Sequence, residues 1–380
     1  MNQIKPKIKV LHLLHSVGGV DVSLRLIVEN IDTDKVETVV VHGISDTKRP
    51  FLDRNGVEVR SYRLPIEREI QPWKDLKSIF KTASILRKER PDVIHAHSAK
   101  GGIIARAASI FFRRTVLHTP QAYSFMSEPK GFKRRVFLGI EQMFRRINSV
   151  LLASSESERQ RGMREVGYKP ERALLFSNSI RDIEPEQMMN PSLELPEDYI
   201  CTVGRPSFQK NIEWMIEVIH KLKEQAPRTH LVVMGVGEYS PNKEAVEGLI
   251  AKYGLENRVT MIPWIEREKI FSIIKNSRLY ISTARYEGLP YSIIESLALG
   301  KACVVTDCDG NRDLVEDGKN GYVISDHSVD RMANCIFALI SDPTKRAEFE
   351  SHSRSRFEIE FDMEKNIKLL EEIYLNQVKV

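Results

Sequence analysis

Tyr286-Glu287-Gly288-Leu289-Pro290-Tyr291-Ser292-Ile293-Ile294-Glu295 sets two carboxylates on either side of a break in regular structure. Gly288 and Pro290 interrupt the chain, and an apolar helical pattern then begins at Ile293, Ile294, Leu297 and Ala298. Glu287 is therefore expected on a loop and Glu295 in the first turns of a helix. The unbonded N–H groups and positive dipole end of such a helix form a natural seat for phosphate. Two acids beside a phosphate seat make electrostatic sense if they hold hydroxyls. The expected ligand carries both phosphates and many hydroxyls, as a nucleotide-sugar does.

The same step from buried strand to loop to helix recurs along the chain. In the first half, Lys7–Leu14, Thr38–His42, Asp92–His97, Arg114–His118 and Ser149–Ala153 read as short strands rich in Val, Ile and Leu. Helical patterns at Val22–Ile31, Trp73–Lys88 and Gly101–Phe112 alternate with them. In the second half the strands are Tyr199–Val203, His230–Met234, Val259–Ile262, Leu279–Ser282 and Ala302–Thr306. The helices there are Asn211–Glu224, Lys243–Tyr253, Glu266–Asn276, Ser292–Leu299 and Ser328–Ser341. This alternation predicts an α/β fold of two doubly wound parallel-sheet (Rossmann-like) domains, with ligands at the strand-end loops. The Pro-containing stretch Asn190–Pro196 sets the boundary, giving domains at 1–193 and 194–361. A last amphipathic helix runs from about Asp362 to Asn376, with Met363, Ile367, Leu370 and Tyr374 on one side.

Length and composition agree with two soluble domains. The chain has 380 residues, 42% hydrophobic and 29% charged. No apolar run approaches the ~20 residues of a membrane-spanning helix. Met1–Lys9 is basic and leads straight into a strand pattern, without the features of a signal peptide. Cys201, Cys303, Cys308 and Cys335 lack metal-type spacing and read as free thiols, so a cytoplasmic location is expected. The net charge of +5 is uneven: residues 1–200 carry 33 Lys and Arg against 25 Asp and Glu. The excess peaks between 101 and 150, with nine basic and two acidic side chains. Lys130-Gly131-Phe132-Lys133-Arg134-Arg135-Val136-Phe137-Leu138, continuing to Phe144-Arg145-Arg146, sets aromatic and aliphatic groups beside cations. Segment 130–146 is therefore expected to touch the inner face of the cell membrane peripherally; the plainer reading is a half-buried helix with a solvated basic face. No nucleic-acid motif accompanies the charge, and no nucleic-acid partner is expected.

Other strand ends carry candidate chemistry. Ser16-Val17-Gly18-Gly19-Val20 lets backbone approach a phosphate or sugar, although tight turns also use paired glycines. Gly204-Arg205-Pro206-Ser207-Phe208-Gln209-Lys210-Asn211 brings two cations to a turn before a helix. There Arg205 can grip phosphate oxygens in a fork and Lys210 adds a point charge. Gly235-Val236-Gly237-Glu238 reads as a tight turn, and Trp264-Ile265 either reads a base edge or belongs to the core. Asp307-Cys308-Asp309 has the form of a metal-binding acidic pair, a match judged accidental. The turn Asp309–Asp313 is expected to pack against the donor site instead. His95, His97 and His118 end strands, where a histidine can bond a hydroxyl or phosphate.

Together these motifs resemble the family 4 (group 1) retaining glycosyltransferases of the GT-B fold. The resemblance covers the whole chain and is strongest from Cys201 to Ile324, in Glu287-Gly288-Leu289-Pro290 through Glu295, Val203-Gly204-Arg205 with Lys210, and Asn320-Gly321-Tyr322-Val323. It implies two Rossmann-like domains facing across a cleft, the second holding the nucleotide, and a last helix (362–380) that returns to the first, acceptor-side domain. It implies that Arg205 and Lys210 neutralise the donor diphosphate, Glu287 contacts the transferred sugar and Glu295 binds ribose hydroxyls. Backbone of Gly204 and of Gly288, Leu289, Pro290 and Tyr291 would line the donor, and Gly18 and Gly19 match the family's N-terminal glycine pair. His118 resembles the first-domain histidine beside the donor sugar. The chain departs from the family where many relatives carry Pro-His and it has Pro120-Gln121, so that role lies with His118 or Gln121. Asp313 stands where relatives usually carry Glu.

The expected reaction moves a sugar from a nucleotide-diphosphate donor, UDP- or GDP-linked, to a hydroxyl of a sugar or lipid-linked acceptor. It proceeds with retention and without metal or other cofactor, in cell-envelope or surface polysaccharide or glycolipid synthesis. Electrostatic stabilisation of the leaving group by Arg205, Lys210 and helix-terminal amides is the main catalytic requirement. Two rivals are a nucleotide-sugar epimerase of the same fold, which would rearrange donor without acceptor, and a non-catalytic nucleotide-sugar-binding protein.

Overall fold

The computed structural model describes residues 7–378 apart from 68, 70, 129, 238 and 239. The start of the basic N-terminal stretch and Glu238 of the Gly235 turn lie outside the described residues. By internal contacts the chain divides into two units, Met1–Arg181 with Met363–Val380, and Asp182–Asp362. The stretch at 190–196 thus falls inside the second unit.

The first unit is built on seven parallel strands: β1 (Ile8–Leu13), β2 (Val36–Gly43), β3 (Ser61–Leu64), β4 (Val93–His97), β5 (Val116–Thr119), β6 (Ser149–Ala153) and β7 (Ala173–Leu175). Their order is β3-β2-β1-β4-β5-β6-β7, with His12 of β1 beside His95 of β4. Parallel strands need crossovers, supplied here by α1 (Gly19–Val28), α2 (Pro72–Glu89), α3 (Ser98–Ser109) and α4 (Phe132–Phe144), with α5 (Glu156–Arg161) before β7. The steps β3 to β4, β4 to β5 and β5 to β6 all run the same way along the sheet. Right-handed connection therefore lays α2, α3 and α4 side by side on one face. Consistent with this, α2 packs on α3 and α3 on α4.

The second unit holds six parallel strands: β8 (Tyr199–Val203), β9 (His230–Val236), β10 (Val259–Pro263), β11 (Tyr280–Ser282), β12 (Cys303–Thr306) and β13 (Gly321–Ile324). Their order is β10-β9-β8-β11-β12-β13. The helices are α6 (Ile212–Gln225), α7 (Lys243–Tyr253), α8 (Arg267–Asn276), α9 (Tyr291–Ala298), α10 (Asn311–Leu314), α11 (Val329–Ser341) and α12 (Pro343–Arg356). One continuous core joins Met215, Ile219 and Leu222 of α6 to Leu231, Val233, Ile281 and Val304 of the sheet and Met332 and Ile336 of α11. The last helix, α13 (Met363–Val378), packs on β1 and β4 of the first unit.

The expected doubly wound architecture is present in both units. Strands β3 and β7 were not anticipated; each ends its sheet, is short and is partly exposed, so neither carries a continuous apolar run.

Inside the first unit, Arg106 of α3 is fully buried and reaches Glu141 of α4 at 2.9 Å. Its Nε also donates to the Gly102 carbonyl at 2.8 Å. A buried charge left without its partner is far more costly than the pair is worth. Glu141→Ala should therefore lower unfolding free energy by about 3–5 kcal/mol in urea titration, and Arg106→Met added to it should recover most of the loss. Wild-type stability in the single variant would show that the pair does not hold α4 on α3.

Candidate active site

In the second unit, four strand-end loops are laced together through backbone. Arg285 N–H donates to the Gln209 carbonyl at 2.8 Å. The Thr283 hydroxyl lies 3.1 Å from the Lys210 carbonyl and 3.0 Å from that of Asn211, and the Thr306 hydroxyl donates to the Ala284 carbonyl at 2.6 Å. Asn242 N–H, in the loop after β9, donates to the Pro206 carbonyl at 3.3 Å. The loops after β8, β9, β11 and β12 thus form one edge, where open α/β sheets bind ligands.

Lys210 and Glu287 meet on this edge, with Nζ 2.7 Å from Oε1. Gln209 holds the other carboxylate oxygen at 3.1 Å, so Glu287 is buried yet fixed at both oxygens. Gly204 makes room for Lys210: a Cβ at 204 would stand 3.0 Å from Lys210 Cγ and Cδ. Arg205 is half-buried in the same loop.

Glu287 does lie on a loop and Glu295 in α9, as expected. Helix α9 starts at Tyr291 behind Pro290, and no side chain caps it. The preceding turn is clamped by Gly310, at φ +80°, where a Cβ would lie 2.6 Å from the Gly288 carbonyl oxygen. The Asp309–Asp313 turn therefore does pack on Gly288–Pro290, with Asp313 accepting from Gly310 N–H at 2.9 Å. Arg312 takes up both acids of the Asp307-Cys308-Asp309 stretch, at 2.6 and 2.7 Å. Trp264 is not a core residue but an exposed one.

One partner was not foreseen. Arg267, at the start of α8, approaches Glu295 Oε1 with Nε at 2.7 Å and Nη2 at 2.5 Å. The pair spans 28 residues and no local pattern announces it. Its only sequence signal is the position of Arg267 just after the strand-end turn at Trp264.

In the first unit, Gly18 caps α1 at φ +61° and ψ −134°, a conformation suited to glycine, and Gly19 begins that helix. A Cβ on Gly18 would meet nothing within 4 Å, so the backbone there is open to approach. Asp46, unnoticed in the sequence, organises the ends of β1 and β2. It receives Ser16 N–H at 2.5 Å and Gly43 N–H at 2.7 Å and lies 2.7 Å from His15 Nδ1. Burial pushes its carboxyl up, but these donors outweigh burial and hold it below the ordinary range.

The strand-end histidines are sealed in. His118 is wholly buried, its Nε2 3.6 Å from Glu141, and any side chain at Gly102 would strike its ring. His95 bonds Tyr374 at 2.7 Å and Thr119 at 2.9 Å, and His12 bonds His97 at 3.0 Å. Burial pushes His97 down to about 3 and holds His12, His95 and His118 well below the usual value, so all four are neutral at pH 7. Gln121 differs. It has φ +53°, followed by Ala122 at φ +76°, and both its side-chain amide atoms are buried without a hydrogen-bond partner.

Residues 18–179 match the family model of the glycosyl transferase 4-like domain, and residues 184–356 that of the glycosyl transferases group 1. A UDP-Gal:alpha-D-GlcNAc-diphosphoundecaprenol alpha-1,3-galactosyltransferase of Escherichia coli is 24% identical over 393 residues, covering 100% of this chain and 99% of the relative. Among solved structures, a sucrose-phosphate synthase of Thermosynechococcus elongatus superposes with a TM-score of 0.83 at 17% identity, covering 98% and 99% of the two chains. Anabaena HepE in complex with UDP and glucose gives 0.79 at 18% identity, covering 97% and 99%. These likenesses establish the GT-B fold.

Removing Arg267 strands the buried Glu295 carboxylate. Arg267→Met should cost about 1–3 kcal/mol in urea titration, and Glu295→Gln in the same chain should return most of it. Full stability in the single variant would show that the pair carries no weight.

Proposed function

Since the chain belongs to the group 1 glycosyltransferases, we propose that it moves a sugar from a UDP-linked donor to a hydroxyl of a lipid-linked acceptor in polysaccharide or glycolipid synthesis, with retention. The observation that carries this reading is Lys210 held on Glu287 at the loop edge beside the α9 N-terminus. A diphosphate arriving there meets Lys210 and Arg205, and as Lys210 turns to phosphate, Glu287 gains an oxygen to accept a sugar hydroxyl. Glu295 stands ready for ribose hydroxyls, with Arg267 as the partner that yields or shares it.

In the proposed step the bond from the anomeric carbon to the phosphate oxygen breaks and that to the acceptor oxygen forms on the same face. The acceptor proton passes to the departing diphosphate. Arg205, Lys210 and the α9 amides stabilise the charge that develops on the leaving oxygen. The reaction is proposed to need no metal, because the acidic pair Asp307 and Asp309 is already neutralised by Arg312. In the first unit the substrate-facing role is assigned to Gln121 rather than His118: its amide is unpaired and its backbone is held in a strained region. The UDP preference and lipid-linked acceptor are supported by what is named for the HepE complex and the E. coli relative.

A thermal-shift panel of UDP- and GDP-sugars, followed by UDP-release assays with lipid-diphosphate saccharides, tests this. A matching donor at a hundred times its Kd should stabilise the protein by about 2.7 kcal/mol. Lys210→Ala should reduce kcat/KM by about a hundredfold or more, and it should also lower the melting temperature because it strands the buried Glu287 carboxylate. Rearranged sugar without acceptor, or donor binding with no release for any acceptor, would overturn the assignment.

A further inference from the structure

We propose that His15, aimed by Asp46, is the first unit's contact to a hydroxyl of the acceptor saccharide, one beside the hydroxyl that receives the sugar. The assignment deepens the proposed transfer and rests on it. That transfer needs two substrates, and its donor is assigned to the edge built by the loops after β8, β9, β11 and β12. The first unit has a ligand edge of its own. Strands β2 and β3 lie on one side of β1 and strands β4 to β7 on the other, so the switch point of the sheet falls at the carboxyl end of β1. His15 stands there, two residues beyond the strand.

The chain around this point is shaped by one carboxylate. The Asp46 side chain is fully buried and takes N–H groups from Ser16, just past β1, and from Gly43, which ends β2. A Cβ on Gly43 would strike that carboxylate. Ser16 Oγ in turn donates to Asp21 at 2.5 Å, and Arg25 donates to Asp21 at 2.9 Å and to the carbonyls of Pro50 and Arg49 at 2.7 and 3.0 Å. Helix α1 therefore grips the loops on both sides of Asp46 and fixes the carboxylate between them.

Two imidazoles flank Asp46, and they differ. His42 is buried, with Nδ1 4.0 Å from the carboxylate and its ring edge-on to Phe51. His15 brings Nδ1 to 2.7 Å; that nitrogen is buried, yet the side chain is 17% exposed, so the ring opens to solvent on its far side. Burial pushes the Asp46 carboxyl up, but His15 and the backbone donors hold it below the ordinary range, so it is ionised at pH 7 and can only accept. The proton between the two groups therefore sits on His15 Nδ1. In the neutral imidazole that tautomer leaves Nε2 as an acceptor, which suits an O–H and repels a phosphate oxygen. Beside it the Gly18 backbone is open, and Val17 and Ile44 are exposed. Apolar groups of this kind suit the C–H face of a sugar ring, with one polar atom to set its register. The reacting hydroxyl gives its proton to the departing diphosphate, so His15 is assigned to a neighbouring hydroxyl.

The probes are the lipid-diphosphate saccharide that the wild type glycosylates and its monodeoxy analogues, with kcat/KM measured for wild type and His15→Asn. The Asn amide nitrogen replaces Nδ1 toward Asp46, and nothing replaces Nε2. One analogue should lose about tenfold or more on the wild type and nothing on His15→Asn, which should use parent and analogue equally poorly. Stabilisation by donor should be the same in both proteins. Asp46→Asn, which removes the positioning carboxylate, should shrink the parent-to-deoxy ratio at the same hydroxyl, and His15→Gln, whose longer amide reaches toward the place of Nε2, should restore part of it. Equal ratios in wild type and His15→Asn at every hydroxyl would overturn the inference, as would a defect of His15→Asn confined to donor KM; both leave the proposed transfer standing. Transfer by the wild type to no saccharide would overturn that reading and this assignment with it.

Discussion

The second unit depends on one constraint: a parallel sheet ends all its strands on the same edge and leaves backbone groups there to be satisfied. Two threonines, Thr283 and Thr306, answer it by bonding carbonyls of neighbouring loops. Because those carbonyls belong to Lys210, Asn211 and Ala284, the bonds that close the fold also fix the loops bearing Lys210 and Glu287. The ion pair is therefore a consequence of how the strand ends are tied. Gly204 and Gly310 serve the same arrangement, since each stands where a side chain would push a neighbouring loop aside.

Much of this edge was legible in the sequence because its elements are local. Glu287, Gly288, Pro290 and Glu295 lie in ten consecutive residues, and a loop-to-helix change is visible there. The central strands were legible for a different reason: β1, β4, β5, β6 and β12 are buried almost throughout and read as short stretches rich in Val, Ile and Leu despite the polar residues among them. Strands β3 and β7 were not, since an edge strand meets water on one side. Arg267 and Asp46 were invisible because their roles come from partners brought together by the sheets.

The histidines show how position along a chain can mislead. His95, His97 and His118 all sit at strand ends, the usual address of a functional group. Yet their rings face inward, and burial keeps them neutral. A neutral imidazole locked to Tyr374 and Thr119 orders α13 against β4 and β5 more readily than it moves a proton. Gln121, three residues past His118, has the opposite profile, with a costly backbone and unanswered polar atoms. Strain and unmet hydrogen bonds survive in a fold where something other than folding selects them.

The uneven charge of the chain has a structural counterpart in the first unit. Its excess of cations could have been spread evenly, which would serve solubility alone. Instead α2 and α4 set Lys77, Lys81, Arg135 and Arg146 beside exposed Trp73, Phe80 and Phe132, on helices that the right-handed crossovers force onto one face. Exposed aromatic rings favour self-association in water, and a ring of like charges opposes it. No helix among the described residues is long and apolar enough to cross a membrane. Segment 130–146 divides between core and water: Phe137 and Leu138 pack on the core around Tyr123 and Phe125 and Arg134 is tied to Glu165, while Phe132, Val136 and Met143 stay outside. Part of its apolar content therefore serves the fold, and the rest stands among the cations.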